Sequence, residues 1–209
     1  MTYPDLNGIR NIVFDFGRVL LNIDIPRSQR ALAKLGFNPG AKTSKEKDDE
    51  AVVLYESGKI SSTDFIKLIQ SALKDPGIPE KKIIDAWNEM LLDFPENHIL
   101  TLRKLKKKYR LFLLSNSNEL HFEKYTNDFR IRYGFEMSTL FDKMWFSFRI
   151  GTVKPDPAIF EYIIKDGNLS PDETIFIDDT LMHVEAAKKI GIRSYHLEGE
   201  TDVSDIFNF

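Results

Sequence analysis

The sequence predicts an α/β protein with a parallel β-sheet and a small all-helical domain inserted after the first strand. Two observations indicate the sheet: short apolar runs alternate with helical patterns over residues 95–209, and these runs are continuous, without interspersed polar residues. Continuous apolar strands are typical of a sheet that helices cover on both faces. A third observation indicates the inserted domain, because residues 26–92 show helical patterns and nothing that resembles a strand.

Five segments are predicted to be strands. The first contains the apolar run Ile12, Val13 and Phe14 and ends at Asp15, and the second is formed by four consecutive large apolar residues. Short links between strands and helices favour right-handed crossovers and therefore a parallel sheet. The predicted strands cover residues 9–15, 111–114, 143–148, 174–177 and 193–197.

Helices are expected between these strands. In the part that follows Pro95, apolar residues at helical spacing predict a helix around 99–105, another that ends near Lys124, and two more at 157–165 and 180–190. In the inserted part, Pro26 suits a first helical turn, and the polar residues 61–64 offer N-caps for a helix that contains Phe65. We therefore expect an α/β core formed by residues 1–20 and 95–209, and a helical domain formed by residues 21–94.

The composition excludes several classes of protein. The 209 residues include 42% hydrophobic and 29% charged residues, with a net charge of −3, which predicts a water-soluble chain and no nucleic-acid or membrane partner. The chain has no cysteine, so a thiolate nucleophile is excluded, in keeping with a reducing cytoplasm. A signal peptide and a membrane-spanning apolar run are both lacking, so we expect a cytoplasmic protein. The sequence does not indicate an oligomeric state.

Polar residues follow four of the predicted strands. Asp15 ends the first strand, Ser115 and Asn116 follow the second, Lys154 lies in the loop after the third, and Asp178 and Asp179 end the fourth. Ligands of open parallel sheets bind at the carboxyl ends of the strands, so we expect these side chains to meet there. Oxygen ligands suit Mg²⁺, a carboxylate can attack phosphorus, and a lysine and a hydroxyl can orient phosphoryl oxygens. The sequence therefore predicts phosphoryl-transfer chemistry.

Four short motifs in this order resemble those of the haloacid dehalogenase superfamily. They are Asp-Phe-Gly-Arg-Val-Leu at 15–20, Leu-Leu-Ser-Asn at 113–116, Lys-Pro-Asp-Pro at 154–157 and Ile-Asp-Asp at 177–179. The resemblance covers nearly the whole chain and implies a Rossmann-like core with a helical cap. Within the superfamily, the chain looks most like bacterial sugar-phosphate phosphatases of the glucose-1-phosphatase type, whose first motif also has the form Asp-x-Gly.

The resemblance implies a role for each motif residue. Asp15 is the nucleophile that forms an aspartyl phosphate, and it also binds Mg²⁺ together with the Gly17 carbonyl and Asp179. Asp178 supports Asp179. Ser115, Asn116 and Lys154 bind the phosphate, and Lys154 also pairs with Asp15. The implied function is hydrolysis of a small phosphorylated metabolite, in particular a sugar phosphate. His183 is expected to be an ordinary histidine on a helix surface, and Phe65 and Trp87 are expected in the core of the cap.

Gly17 departs from the common pattern of this superfamily. Most of its phosphatases have an aspartate two residues after the nucleophile, which acts as general acid and then as general base, and glycine cannot transfer a proton. General acid catalysis contributes about 10²–10⁴ in rate. The activity therefore needs another proton donor, such as bound water or a cap residue, or a substrate with a better leaving group.

Two other functions fit the same motifs. A 2-haloacid dehalogenase shares the nucleophile, the cap and the lysine, and it also lacks the second aspartate, but the adjacent carboxylates of Asp178 and Asp179 favour a metal-dependent enzyme instead. A catalytically silent member that binds a phosphorylated ligand or a partner protein would also have lost the acid aspartate. It would not need to retain Asp15 and the carboxylates of the fourth motif.

Overall fold

The computed structural model describes residues 3–37, 45–73, 75 and 77–207. Five parallel strands form one sheet in the order β3-β2-β1-β4-β5, which confirms the predicted α/β class. The strand order reverses beside β1, because β2 and β3 lie on one side of β1 whereas β4 and β5 lie on the other. A crevice at the carboxyl ends of β1 and β4 is the usual result of such a reversal. The strands are β1 (Asn11–Phe14), β2 (Arg110–Ser115), β3 (Lys143–Phe146), β4 (Thr174–Asp178) and β5 (Arg193–His196).

Nine α-helices connect or precede these strands in the described part of the chain. They are α1 (Ile25–Lys34), α2 (Lys45–Glu56), α3 (Ser62–Ala72), α4 (Glu80–Asn88), α5 (Glu96–Leu105), α6 (Glu119–Tyr133), α7 (Ser147–Ile150), α8 (Pro157–Gly167) and α9 (Leu181–Lys189).

Two of the predicted boundaries that were wrong have a clear structural cause. Helix α6 continues well beyond Lys124 because Tyr125 and Phe129, one turn apart, are both buried, and it ends only where Gly134 adopts a left-handed conformation (φ 74°). The third strand ends at Phe146, since residues 147–150 form the short helix α7.

Alternating side chains of the sheet pack into two cores. Ile12 and Phe14 of β1 belong to the core that includes residues of α5 and α6, whereas Val13 belongs to the core that includes residues of α8 and α9. The neighbouring residues of β2 and β4 divide in the same way. Helices therefore cover both faces of the sheet, as the continuous apolar strands predicted.

The four helices α1–α4, here called the cap helices, enclose a third hydrophobic cluster. Its buried members include Leu32, Tyr55, Phe65 and Ile83, one from each of these helices. Ser61 is the N-cap of α3 and accepts a hydrogen bond from the Asp64 backbone N–H (3.1 Å), as the polar run before Phe65 indicated. Within the described residues, no helix combines the length and the apolar character that a bilayer crossing requires.

Candidate active site

The residues predicted from the four motifs meet at the crevice between β1 and β4. Asp15 directly follows β1, and its backbone N–H donates to the Ile177 carbonyl of β4 (2.8 Å). Asp178 is the last residue of β4, and Ser115 is the last residue of β2 on the other side of β1. Lys154 enters from the segment between α7 and α8. The parallel order of the strands thus brings together residues that lie far apart in the sequence.

Lys154 lies at the centre of this group. Its Nζ donates to Asp15 Oδ1 (2.5 Å), to Asp178 Oδ2 (2.7 Å) and to the Leu114 carbonyl (3.2 Å), and its side chain is fully buried. Asn116 holds the backbone of Lys154 on both sides: Asn116 Oδ1 accepts from the Lys154 N–H (2.8 Å), and Asn116 Nδ2 donates to the Lys154 carbonyl (2.9 Å). The ammonium is therefore positioned by its own contacts and by those of its backbone.

Burial and charge shift the pKa values of this group in opposite directions. Burial raises the pKa of Asp15 to about 7, although Lys154 acts against the shift. Burial also disfavours charge on Asp178, but Lys154 and His183 outweigh it and lower the pKa of Asp178 to about 2. Lys154 itself loses hydration, yet the two carboxylates overcome this cost and raise its pKa. Lys154 is therefore a permanently charged cation in this site.

Three carboxylates form a cluster that could hold a metal ion. Asp15, Asp178 and Asp179 each offer an oxygen, and these oxygens lie within 4.8 Å of one another. Asp179 is half-buried, and its Oδ2 lies 3.9 Å from a guanidinium nitrogen of Arg18. Three carboxylates beside the Lys154 ammonium and the more distant Arg18 guanidinium still leave an excess of negative charge, which a divalent cation with oxygen ligands would balance.

Gly17 lies in the same cavity wall, two residues after Asp15. Its backbone is outside the left-handed region, so the chain does not need glycine here for its conformation. The space for a side chain is instead taken by Ile23, whose Cδ1 lies 3.1 Å from the position that a Cβ would occupy.

The two predicted phosphate ligands at the end of β2, Ser115 and the following Asn116, differ in their surroundings. Ser115 is buried and lines the cavity, and its Oγ lies 3.3 Å from the Asn116 carbonyl. Asn116 also lines the cavity, but its side-chain amide uses both polar atoms on the backbone of Lys154. The side-chain amide of Asn116 is therefore already engaged within the protein.

His183 is not the surface histidine that its position on a helix predicted. Its Nδ1 lies 3.0 Å from Asp178 Oδ1, and its side chain is 16% exposed. Asp178 Oδ1 also accepts the backbone N–H of Thr180 (2.7 Å), so both oxygens of this carboxylate are engaged by fixed groups. The contact was missed because the turn after β4 directs α9 back over the strand end, which helical periodicity alone does not reveal.

A cavity of about 550 Å³ opens above these residues. Its floor is polar and is formed by the ends of the strands, whereas the cap side is mainly apolar. The apolar cap-side residues are Leu21, Ile23, Ile25, Leu32, Val52, Val53, Trp87, Met90 and Leu91. Trp87, expected in the cap core, packs against Phe65 (4.8 Å between ring centroids) but also stacks on His121 of α6 (5.0 Å). It therefore joins the cap to the core and lines the cavity.

Two further residues of the cavity were not found from the sequence. His121 is buried beneath Trp87, and burial lowers its pKa to about 4, so its ring is neutral at physiological pH. Glu56, the last residue of α2, lines the cavity from the cap side. The available signal was a carboxylate that directly follows the mainly apolar run 51–55 of a cap helix.

Comparison with known proteins agrees with this geometry. The chain is 30% identical over 197 residues to the D-ribitol-5-phosphate phosphatase of Bacteroides thetaiotaomicron. This alignment covers 93% of this chain and 94% of that protein. It is 28% identical over 189 residues to a sesquiterpene phosphatase of Aspergillus oryzae, with 88% of each chain covered. A crystal structure of a haloacid dehalogenase family enzyme from B. thetaiotaomicron, in complex with magnesium, superposes with a TM-score of 0.88 at 32% identity. That match covers 97% of this chain and all of the other.

The family assignment follows from a match over most of the chain. Residues 12–196 match the model of haloacid dehalogenase-like hydrolases, and this range includes Asp15, Lys154 and both carboxylates of the fourth motif. The four motifs, the sheet order and the cap helices agree with the assignment. The chain belongs to the haloacid dehalogenase-like hydrolase family.

Proposed function

We propose that this protein is a magnesium-dependent phosphatase that hydrolyses a small phosphomonoester through an aspartyl phosphate on Asp15. The observation that carries the proposal is the buried ammonium of Lys154 between Asp15 and Asp178, next to the oxygen cluster that Asp179 completes. A carboxylate beside a fixed cation and a cation-binding cluster is the arrangement that phosphoryl transfer to an aspartate requires.

The residues at the strand ends fit a magnesium ion. Asp15, the Gly17 carbonyl and Asp179 would supply oxygen ligands, and Asp178 would support them through its contacts with Lys154 and Thr180. When bound, the ion would neutralise the charge of the phosphate and orient it towards Asp15. The magnesium complex of the family member from B. thetaiotaomicron supports magnesium as the ion.

The chain's own residues then account for the chemistry. Ser115 and the backbone of Asn116 bind the phosphoryl oxygens on one side, and Lys154 stabilises the charge that these oxygens carry. Asp15 attacks phosphorus, and the bond to the leaving oxygen breaks. Water then attacks the aspartyl phosphate, which releases phosphate and restores Asp15. A crystal structure of the wild-type B. thetaiotaomicron enzyme, with a TM-score of 0.81 at 29% identity, is a complex with magnesium and inorganic phosphate, which supports phosphate as the group that is bound.

The substrate we propose is the phosphate of a sugar or polyol. The similarity to D-ribitol-5-phosphate phosphatase over nearly the full length supports this choice. We also propose that residues 21–94 form a cap that closes over the substrate and excludes water. The separate hydrophobic cluster of the cap helices and their contribution to the cavity wall support that division.

A second candidate substrate class is an apolar phosphate. The cap side of the cavity consists mostly of aliphatic residues, and the cap side chain of Ser28 is occupied because it donates to the Trp87 carbonyl (2.6 Å) and accepts the Met90 N–H (2.9 Å). Such a wall suits a hydrocarbon chain better than several hydroxyl groups. Similarity to a sesquiterpene phosphatase points in the same direction.

One assay tests the proposal against its alternatives. Phosphate release from p-nitrophenyl phosphate is measured with magnesium and with chelator, and a panel of sugar, polyol and prenyl phosphates follows at equal concentration. We expect magnesium-dependent release and the highest kcat/KM for a sugar or polyol phosphate. Halide release from a 2-haloacid without metal would indicate a dehalogenase. No turnover of any phosphate, with phosphate binding retained, would indicate a silent binding protein.

A further inference from the structure

The active site lacks a proton donor at the position where its relatives most often carry one. The oxygen of a basic leaving group must gain a proton as its bond to phosphorus breaks, and the water of the second step must lose one. Gly17 cannot serve, and Ile23 occupies the space beside it. A side-chain donor would therefore have to come from another element of the structure.

Glu56 lies at a point where the cap is fixed to the core. The preceding residue, Tyr55, is buried, and its hydroxyl accepts the backbone N–H of Leu120 (3.2 Å) at the start of α6. Gly58, two residues after Glu56, has a left-handed backbone (φ 65°) and packs on α7. A Cβ at this position would lie 2.2 Å from the Phe148 carbonyl oxygen. Both flanks of Glu56 thus contact core elements, which fixes the end of α2 at the cavity that Glu56 lines.

The cavity surrounds Glu56 with apolar cap residues and charged core residues. Val52 and Val53, on the preceding turn of α2, line the same wall, as do Trp87 and Met90. Among the described residues, Glu56 is the single ionisable side chain that the cap contributes to the cavity. The titratable and charged groups that line the cavity from the core are Asp15, Arg18, His121, Tyr125, Lys154, Asp179 and His183.

The carboxyl group of Glu56 has the acidity that proton transfer near neutral pH requires. Burial raises its pKa to about 7, Lys154 acts to lower it, and Asp15 acts to raise it further. An acid with a pKa near the working pH can both give and take a proton at a useful rate. Lys154 and Asp15 line the same cavity as Glu56, and their charges act on its carboxyl group.

We propose that Glu56, carried by the cap, is the general acid and then the general base of this phosphatase. The inference depends on the proposed function. In the first step, the bond between Asp15 and phosphorus forms, the bond to the leaving oxygen breaks, and the proton of Glu56 moves to that oxygen. In the second step, water attacks phosphorus, its proton moves to the Glu56 carboxylate, and phosphate leaves Asp15. Glu56 is protonated again at the end, so the cycle is balanced.

The experiment measures kcat/KM over phosphates graded in leaving-group pKa, from p-nitrophenyl phosphate to a simple alkyl phosphate, at saturating magnesium. Glu56→Gln is compared with the wild type and with Glu50→Gln, which changes an exposed glutamate of the same helix. We expect a shallow dependence for the wild type and for Glu50→Gln. In Glu56→Gln, the alkyl phosphate should lose about 10²–10⁴-fold, and p-nitrophenyl phosphate far less, because its leaving oxygen needs no proton.

A second readout reports the base function. With p-nitrophenyl phosphate, Glu56→Gln should release a burst of nitrophenolate and then turn over slowly, since the aspartyl phosphate forms but loses the group that activates water. Glu56→Asp keeps a carboxyl group one methylene further from the site and should lie between the wild type and Glu56→Gln. If Glu56→Gln does not fold, Glu56→Asp is compared with the wild type in the same way.

The outcomes separate this inference from the proposed function. An equal loss for all substrates in both Glu56 variants, or an unchanged dependence on the leaving group, would overturn the role of Glu56 while wild-type phosphatase activity remained. A wild-type protein that releases no phosphate with magnesium would instead refute the proposed function.

Discussion

Lys154 Nζ lies 2.5 Å from Asp15 Oδ1, inside the protein and out of contact with solvent. The same nitrogen bonds Asp178 at 2.7 Å, so its removal would leave two buried carboxylates without their cation. Removal of one partner from a buried ion pair costs about 3–5 kcal/mol. We therefore expect Lys154→Met to lower the free energy of unfolding by about that amount in urea denaturation, and to abolish phosphatase activity.

Two comparisons show whether the loss comes from the unpaired charges. Lys165→Met, which replaces an exposed lysine of α8, should leave the free energy of unfolding nearly unchanged. Adding Asp15→Asn to Lys154→Met should restore part of the stability, because it removes one of the two unpaired charges. A double variant that is the sum of its single effects would contradict the coupling between Asp15 and Lys154.

The nucleophile is tested by Asp15→Asn. The amide keeps the shape of the side chain but cannot form the aspartyl phosphate, so turnover should vanish for every phosphate in the panel. Circular dichroism should show a folded protein. Near-normal turnover by this variant would rule out the proposed mechanism.

Most of the core fold could be predicted because the strands are continuous apolar runs, such as Leu111–Leu114, which signal burial on both faces. The site could also be predicted at the strand ends, since parallel strands bring Asp15, Asp178 and Asp179 together whatever fills the links between them. The roles of the individual ligands stay predictions.

What the sequence did not reveal depends on contacts between distant elements. Glu56 is one acid among many until α2 docks on the core through Tyr55 and Gly58. His183 is likewise an ordinary helical residue until the turn after β4 aims it at Asp178. In both cases the decisive contact joins segments that local periodicity treats separately.

The metal ligands are tested by Asp179→Ala. Loss of one carboxylate from the cluster should raise the magnesium concentration needed for half-maximal activity, or abolish turnover. Magnesium should also raise the Tm of the wild type, because a ligand that binds only the folded state stabilises it. The variant should show a smaller shift, whereas Asp205→Ala, which changes an exposed carboxylate far along the chain, should behave like the wild type. Equal shifts in Asp179→Ala and the wild type would exclude Asp179 as a ligand.

The raised pKa of Glu56 predicts a stability effect in metal-free protein. A carboxyl group whose pKa is 4.5 when unfolded and about 7 when folded binds more protons in the folded state between these values. The free energy of unfolding should therefore fall as the pH rises through this window. Glu56→Gln removes this contribution, so it should match the wild type near pH 4 and exceed it by about 1–3 kcal/mol at pH 8. A constant difference across the pH range would contradict the shift.

The absence of a side chain at Gly17 offers a second test of the proton-transfer step. In a Glu56→Gln background, Gly17→Asp should restore part of the turnover of alkyl phosphates if Ile23→Ala is added, since Ile23 Cδ1 lies 3.1 Å from the place of the new Cβ. The same two changes without an acid, Gly17→Asn with Ile23→Ala, should restore nothing. Equal rescue by the asparagine variant would show that space, and not proton transfer, limits the reaction.

The contact between Gly58 and Phe148 links the size of a substrate to its chemistry. In the proposed mechanism, Glu56 acts as the acid while the end of α2 rests on the core at this point, where no side chain fits between the two backbones. A molecule too bulky for the cap to close over would still meet Asp15 on the sheet, but without a proton for its leaving oxygen. Oversized alkyl phosphates would therefore react slowly even when they bind well, because their leaving oxygen gains no proton. Selection against large substrates would then arise in the chemical step as well as in binding.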